Sequence, residues 1–161
     1  MHSVLSRLES KWLTLLTERV SIHAATRDDT HQPLLTRVLG CRVDDQGLKI
    51  FLQPDQCPGF LEALTSCSRL AVAFCRPSTC ETIQLKADDA RIVPLVEGDW
   101  SPIRNYIHSF VQELGEMGYS DEFAHAILGE AGEDLVAVCF TPISAFDQTP
   151  GPKAGTSVFR S

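Results

Sequence analysis

The stretch Thr82-Ile83-Gln84-Leu85-Lys86-Ala87 carries the chemistry best suited to holding a ligand. Apolar and polar residues alternate strictly, so in a β-strand Ile83, Leu85 and Ala87 share one face and Thr82, Gln84 and Lys86 the other. A hydroxyl, an amide and an ammonium in a row form a donor-rich surface that suits an anionic, heteroatom-rich ligand. The plainer alternative is a half-buried strand with a solvated outer face. His23 and His108 are acid–base candidates by residue type alone, and no catalytic pair is named by spacing. The six cysteines, Cys41, Cys57, Cys67, Cys75, Cys80 and Cys139, contain no CxxC pair and have no histidine at ligand spacing. Reduced, buried thiols acting as small hydrophobes are expected, Cys41, Cys75 and Cys139 lying in or beside apolar runs.

The chain that must position these groups has 161 residues, enough for one domain with its own core. Its net charge of −7, with Lys and Arg scattered, argues against nucleic acid and against an anionic membrane as partner. No run is long and apolar enough to span a bilayer and the N-terminus lacks a signal-peptide core, so a cytoplasmic location is expected.

Periodicity divides the chain into a helix over 1–18, strands over 19–95, helices over 99–130, a last strand over 135–146 and a tail over 147–161. In the first helix Val4, Leu8, Trp12, Leu15 and Leu16 form the apolar stripe, with Ser3 as its cap. Strands are expected over Arg19–Arg27, Leu34–Val43 (with Gly40 as a bulge), Leu48–Leu52, Arg69–Cys75 and within Thr79–Pro94. The Asp44-Asp45-Gln46-Gly47 turn joins two of them. A short helix runs from about Pro58 to Cys67. Ile103, Tyr106, Ile107, Phe110, Val111, Leu114 and Met117 give the strongest amphipathic stripe, which packs on its own barrel or, alternatively, docks a partner. Ser120 caps, and Gly129 closes, a second short helix. Leu135–Phe146 reads as one long strand whose Pro142 marks an edge or bulge. The Pro/Gly-rich tail is loose or laid over a partner. Six strands joined mostly by hairpins favour a mainly β (α+β) fold, an antiparallel six-stranded barrel with flanking helices.

The segments Gln32-Pro33-Leu34-Leu35-Thr36-Arg37-Val38, Gly47-Leu48-Lys49-Ile50-Phe51, Leu70-Ala71-Val72-Ala73-Phe74 and Thr82-Ile83-Gln84-Leu85-Lys86 resemble the FMN-binding split-barrel family, exemplified by pyridoxamine 5′-phosphate oxidase. Phe146-Asp147-Gln148-Thr149-Pro150-Gly151-Pro152 resembles the ending of a short bacterial branch of that family. The resemblance implies a homodimer with one FMN in each of two clefts between subunits, and an oxidoreductase acting on a small molecule that the sequence does not name. It makes Arg37 the phosphate-binding arginine, a role its forked donors suit; a local carboxylate, Asp28 or Asp29, is the alternative partner. By alternation Arg37 shares a face with Leu35 and Leu39. The resemblance also puts Val38 and Leu39 beneath the isoalloxazine ring, Thr82 where a glutamine commonly touches flavin, and Gln84 and Lys86 near ribityl or phosphate.

The departures point the other way. No Lys or Arg lies between Lys49 and Arg69, where the family completes its phosphate cradle, and Asp55 adds a charge of the wrong sign. Glu81 stands where an arginine is common, and Ala87 where a glycine is. The closing Arg-x-His signature of the oxidase is absent, so the chain is not expected to be a true pyridoxamine 5′-phosphate oxidase. The alternative function is a flavin-free split-barrel dimer acting as a ligand-binding or scaffold module.

Overall fold

The computed structural model describes residues 4–45, 47–129 and 131–159. Among them, nine strands form one antiparallel sheet: β1 (Ser21–Arg27), β2 (Pro33–Asp44), β3 (Gly47–Leu52), β4 (Leu70–Cys75), β5 (Thr82–Ala87), β6 (Arg91–Val93), β7 (Val136–Phe140), β8 (Ser144–Asp147) and β9 (Thr156–Ser157). Their order across the sheet is β6-β7-β3-β2-β1-β4-β5-β8-β9.

Two short connections force this sheet to curl. β7 and β8 stand second and eighth in that order, which would separate them by about 29 Å in a flat sheet. Yet only Thr141-Pro142-Ile143 joins them, and such a link reaches at most about 14 Å. Asp88-Asp89-Ala90 likewise carries the chain from β5 to β6 across the same seam. The sheet therefore closes around one apolar interior, to which Ile22, Phe74 and Leu85 contribute from one half and Leu48, Ile50 and Val138 from the other.

Helix α3 (Trp100–Glu116) lies against β2 and covers the outer side of only part of this wall. Its stripe turns Ile103, Tyr106, Phe110 and Leu114 into the core, while Met117 is left exposed. That settles the stripe as an internal packing face. β2 yields to the helix at the bulge expected at Gly40: the β2–β3 register shifts between Val38 and Cys41. Gly40 takes φ +132°, and a Cβ there would lie 3.2 Å from Tyr106 Cβ, a conformation and an approach that only glycine meets without strain.

Asp99 anchors the start of α3. It is fully buried, accepts from the Val96 N–H at 3.0 Å, and pairs with Arg42 Nη1 at 3.0 Å and Lys49 Nζ at 2.9 Å. Burial alone pushes its carboxyl upward, but the Val96 N–H, Lys49 and Arg42 together hold it below the usual carboxylate value. Of the other helices, α2 (Phe60–Cys67) packs against β1, β2 and β6, and α4 (Asp121–Leu128) against α3. Ser120 Oγ accepts the Phe123 N–H at 3.2 Å, the cap expected for α4.

Several expectations are corrected. The strand count is nine among the described residues, against six. Leu135–Phe146 is two strands, because Pro142 has no N–H for a ladder and the chain bends there to cross the seam. The strand expected within Thr79–Pro94 is β5, and the same stretch holds a second, β6, across the seam. The first helix breaks into a 3₁₀ turn (Val4–Arg7) and α1 (Ser10–Leu15), with Glu9 extended between them. Ser3, its expected cap, lies outside the described residues, as does Gln46 of the β2–β3 turn. The tail folds back on its own sheet: β9 pairs with β8, and Val158 and Phe159 pack on the core. All six thiols are free, but only Cys41 is fully buried; Cys75 and Cys139 are half-buried and Cys80 is exposed. No described helix is long and apolar enough to cross a membrane.

Candidate ligand-binding face

Where α3 ends its cover, the outer side of β1, β4, β5 and β8 remains open. Along these strands every second residue is buried, and the residues between are half-exposed or exposed. Strand register arranges the outward residues in rows. Arg37, His23, Ala73, Gln84 and Phe146 are successive cross-strand partners, and Leu35, Ala25, Ala71, Lys86 and Ser144 form a second row. Ser21, Cys75 and Thr82 form a third. The centre is floored by Ala25, Ala71, Ala73 and Cys75, whose small side chains leave it flat enough for a planar group.

Arg37 stands at the border of the covered zone. Leu35 on one side of it is 61% exposed, whereas Leu39 on the other is buried. Its Nη1 donates to Ser21 Oγ at 3.0 Å, and its guanidinium lies 6.0 Å from the centre of the Phe110 ring. Neither anticipated carboxylate pairs with it. Asp28 Oδ1 instead closes its own turn, accepting from the Thr30 N–H and hydroxyl and the Gln32 N–H. Among the described residues Arg37 forms no ion pair. It opens, with His23, Thr36 and Gln56, onto a cavity of about 370 Å³. Burial, and then the Arg37 charge, push the His23 imidazole below its ordinary pKa, which favours the neutral ring.

The remaining sequence candidates are placed as follows. Val38 and Leu39 are fully buried, so they offer a ligand backbone only. The Thr82 hydroxyl donates to the Cys80 carbonyl at 2.9 Å, and its N–H donates to Thr149 Oγ1, so the hydroxyl keeps only its acceptor capacity. Gln84 shares the Arg37 row, and its amide has no hydrogen-bond partner among the described residues. Lys86 lies one row away, its Nζ 5.3 Å from the centre of the Phe146 ring. Three strand spacings, about 14 Å, separate Arg37 on β2 from Lys86 on β5. His108 is on α3, in a groove with Arg104, Asp121 and His125 away from this face.

Sequence reasoning missed His23 as a neighbour of Arg37, and Arg27 and Arg69 as neighbours of Lys86. The last three line one cavity of about 540 Å³. Register brings these groups together, and no local pattern announces it.

No protein-family model matches the chain, and no curated protein matches it. Solved structures do. HutZ, a heme storage protein from Vibrio cholerae, aligns over 88% of this chain and 94% of its own at 15% identity, with a TM-score of 0.52. HupZ from Group A Streptococcus aligns over 87% and 98% at 11% identity (TM-score 0.52). An F420 reductase aligns over 82% and 93% at 14% identity (TM-score 0.51).

The fold is the split barrel.

Identities this low establish the fold and leave the ligand open. As a seat for FMN, this split barrel offers an arginine without an ion pair, an unpaired amide in the same row and a flat floor. It lacks the basic residues expected after β3: Gln53–Gly59 carries none, and Lys49 is committed to Asp99.

Proposed function

We propose that the open face binds FMN, with its phosphate at Arg37, and that the protein is an oxidoreductase of the split-barrel type. The carrying observation is Arg37: a half-buried guanidinium without an ion pair, opening onto a cavity at one end of a flat row that ends in Gln84 and Phe146. A half-buried cation without a counter-ion is partly desolvated, and an oxyanion supplies the missing charge through two parallel hydrogen bonds. Flavin, when bound, supplies the hydride chemistry. The chain's own residues bind and orient: the Gln84 amide can donate to and accept from ring or ribityl heteroatoms. Neutral His23 offers one ring nitrogen as acceptor beside Arg37. A second copy of the chain covers the Leu35 side of the face in a homodimer, removing Leu35 (61% exposed) from water.

The visible absorption spectrum, taken before and after soaking with FMN and removing the excess, tests this reading. Retained flavin, with affinity reduced about tenfold to a hundredfold in Arg37→Ala, is expected for loss of one charged bidentate contact. A protein that retains no flavin, or an Arg37→Ala variant that binds it equally well, refutes it.

The absence of basic residues over Gln53–Gly59 favours a second reading, a flavin-free dimeric binding module. A colourless protein that takes up no FMN but remains dimeric supports it. Because HutZ is a heme storage protein, hemin is the next ligand to titrate into such a protein.

A further inference from the structure

The larger cavity on the open face lies at the end away from Arg37. Arg27 closes β1, Arg69 precedes β4 and Lys86 lies on β5, and all three line it together with Ala25, Leu70, Ala71, Ala87 and Ile143. By the two-residue period of the strands, Arg27 extends the row-side of His23 and Ala25, and Arg69 that of Ala73 and Ala71. Three cationic residues from three neighbouring strands thus line one cavity. None of them forms an ion pair among the described residues. A single carboxylate, Asp88, shares the cavity, leaving its lining with an excess of two positive charges.

That excess runs against the protein's own field, since the chain as a whole carries −7. An anionic occupant is attracted by this local excess of two positive charges. At rest Lys86 Nζ leans over the Phe146 ring, 5.3 Å from its centre, in the Gln84 row and outside the cavity's lining, so it swings back to meet an occupant. Backbone bonds fix the wall: the Ile143 N–H donates to the Lys86 carbonyl at 2.8 Å, and Thr26 Oγ1 donates to the Arg69 carbonyl at 2.8 Å. Ala25, Ala71 and Ala87 make the floor apolar, and Ile143 is 58% exposed at its edge. The volume, about 540 Å³, is that of a small-molecule site.

We propose that this cavity is a second site, separate from Arg37, for an organic oxyanion: a phosphate ester or a carboxylate carried on a small apolar body. Arg69, Arg27 and Lys86 hold the anion, and the alanine floor with Ile143 holds the body. Register puts Arg27 and Arg69 two rows from Arg37 on one face, so the flavin phosphate and this oxyanion are held by different cations.

Calorimetric titration of the intact protein with phenyl phosphate, benzoate and benzyl alcohol tests the proposal without requiring flavin. Saturable binding of phenyl phosphate that persists in the Arg37→Ala protein is expected, weakening with added salt, with benzyl alcohol not binding. Benzoate distinguishes the headgroups: binding equal to phenyl phosphate identifies a carboxylate-accepting site, and weaker binding a site tuned to a phosphate dianion. In the Arg37→Ala background, Arg69→Ala and Lys86→Ala each weaken phenyl phosphate binding about tenfold. Arg69 contributes its carbonyl, not its side chain, to the Thr26 hydrogen bond, and Lys86 is exposed. Both variants therefore keep the fold, as circular dichroism checks. Benzyl alcohol binding as tightly as phenyl phosphate overturns the proposal, and so does a lack of saturable binding. Sensitivity to Arg37→Ala rather than Arg69→Ala overturns the separation of the two sites. A protein that takes up no FMN yet binds phenyl phosphate upholds this site while removing the flavin reading.

Discussion

Replacing Asp99 tests how the covered half of the barrel is held together, and thereby what keeps Tyr106 and Phe110 beside Arg37. Asp99→Ala removes the acceptor for the Val96 N–H and the counter-charge for Arg42 and Lys49. The two cations are affected unequally. The Arg42 side chain is 37% exposed and remains hydrated, whereas that of Lys49 is 13% exposed and is left without its carboxylate. Stranding one partner of a buried pair costs about 3–5 kcal/mol. With Arg42 largely discounted for solvent screening, the lower end, about 3 kcal/mol, is expected. For a chain of this size that lowers Tm by about 6–12 °C. Asp99→Asn keeps an acceptor for Val96 and loses only the charge, so about half that cost is expected.

The pH dependence identifies the mechanism. Because the folded carboxyl is held below its ordinary value, its contribution is fully present above the unfolded carboxylate pKa. It is lost as pH falls through the lower, folded value. The stability difference between wild type and Asp99→Asn, measured by urea denaturation, should therefore be largest at neutral pH and shrink in acid. A loss below about 1 kcal/mol for Asp99→Ala, or a difference that does not shrink, refutes the account of a buried charge held by its partners.

Four further outcomes follow from the same structure. Arg37→Ala should raise the His23 pKa toward its ordinary value without reaching it, since burial is the larger cause of its depression and the Arg37 charge the smaller; NMR titration of the ring protons measures this. Gly40→Ala should destabilise by about 2 kcal/mol, because alanine is strained at φ +132° and its Cβ meets Tyr106; thermal unfolding reads it. Ala73→Glu, on the flat floor of the open face, should convert the proposed dimer to a monomer with an unchanged circular dichroism spectrum, as gel filtration with light scattering would show. Cys67 should alkylate before Cys41 near neutral pH. Burial pushes the Cys67 thiol up, but its hydrogen bond with Thr26 Oγ1, the Arg69 N–H, the Arg27 backbone contact and the Arg27 charge outweigh it, while Cys41 is wholly buried and raised. Peptide-level mass spectrometry distinguishes the two thiols.

The alternation at Thr82–Ala87 determined by itself which side chains face outward, because a strand has a period of two whatever surrounds it. The α3 stripe was likewise readable, since burying an apolar stripe is what stabilises a helix, and Gly40 announced its bulge. What α3 covers, and where its cover stops, was not readable: Leu35 and Leu39 are identical residue types two positions either side of Arg37, yet one is exposed and the other buried.

The break at Pro142 was visible as an irregularity, but its meaning depended on closure. Only the strand order shows that a three-residue link there must bring opposite ends of the sheet together. The candidate site divides in the same way. Composition and alternation supplied Arg37, Gln84 and Lys86 one at a time. Register alone set Arg37 beside His23 and carried Lys86 to Arg27 and Arg69, residues 59 and 17 positions away in the chain. Side-chain direction along a strand is fixed by local geometry, whereas cross-strand neighbours are chosen by the packing of the whole barrel.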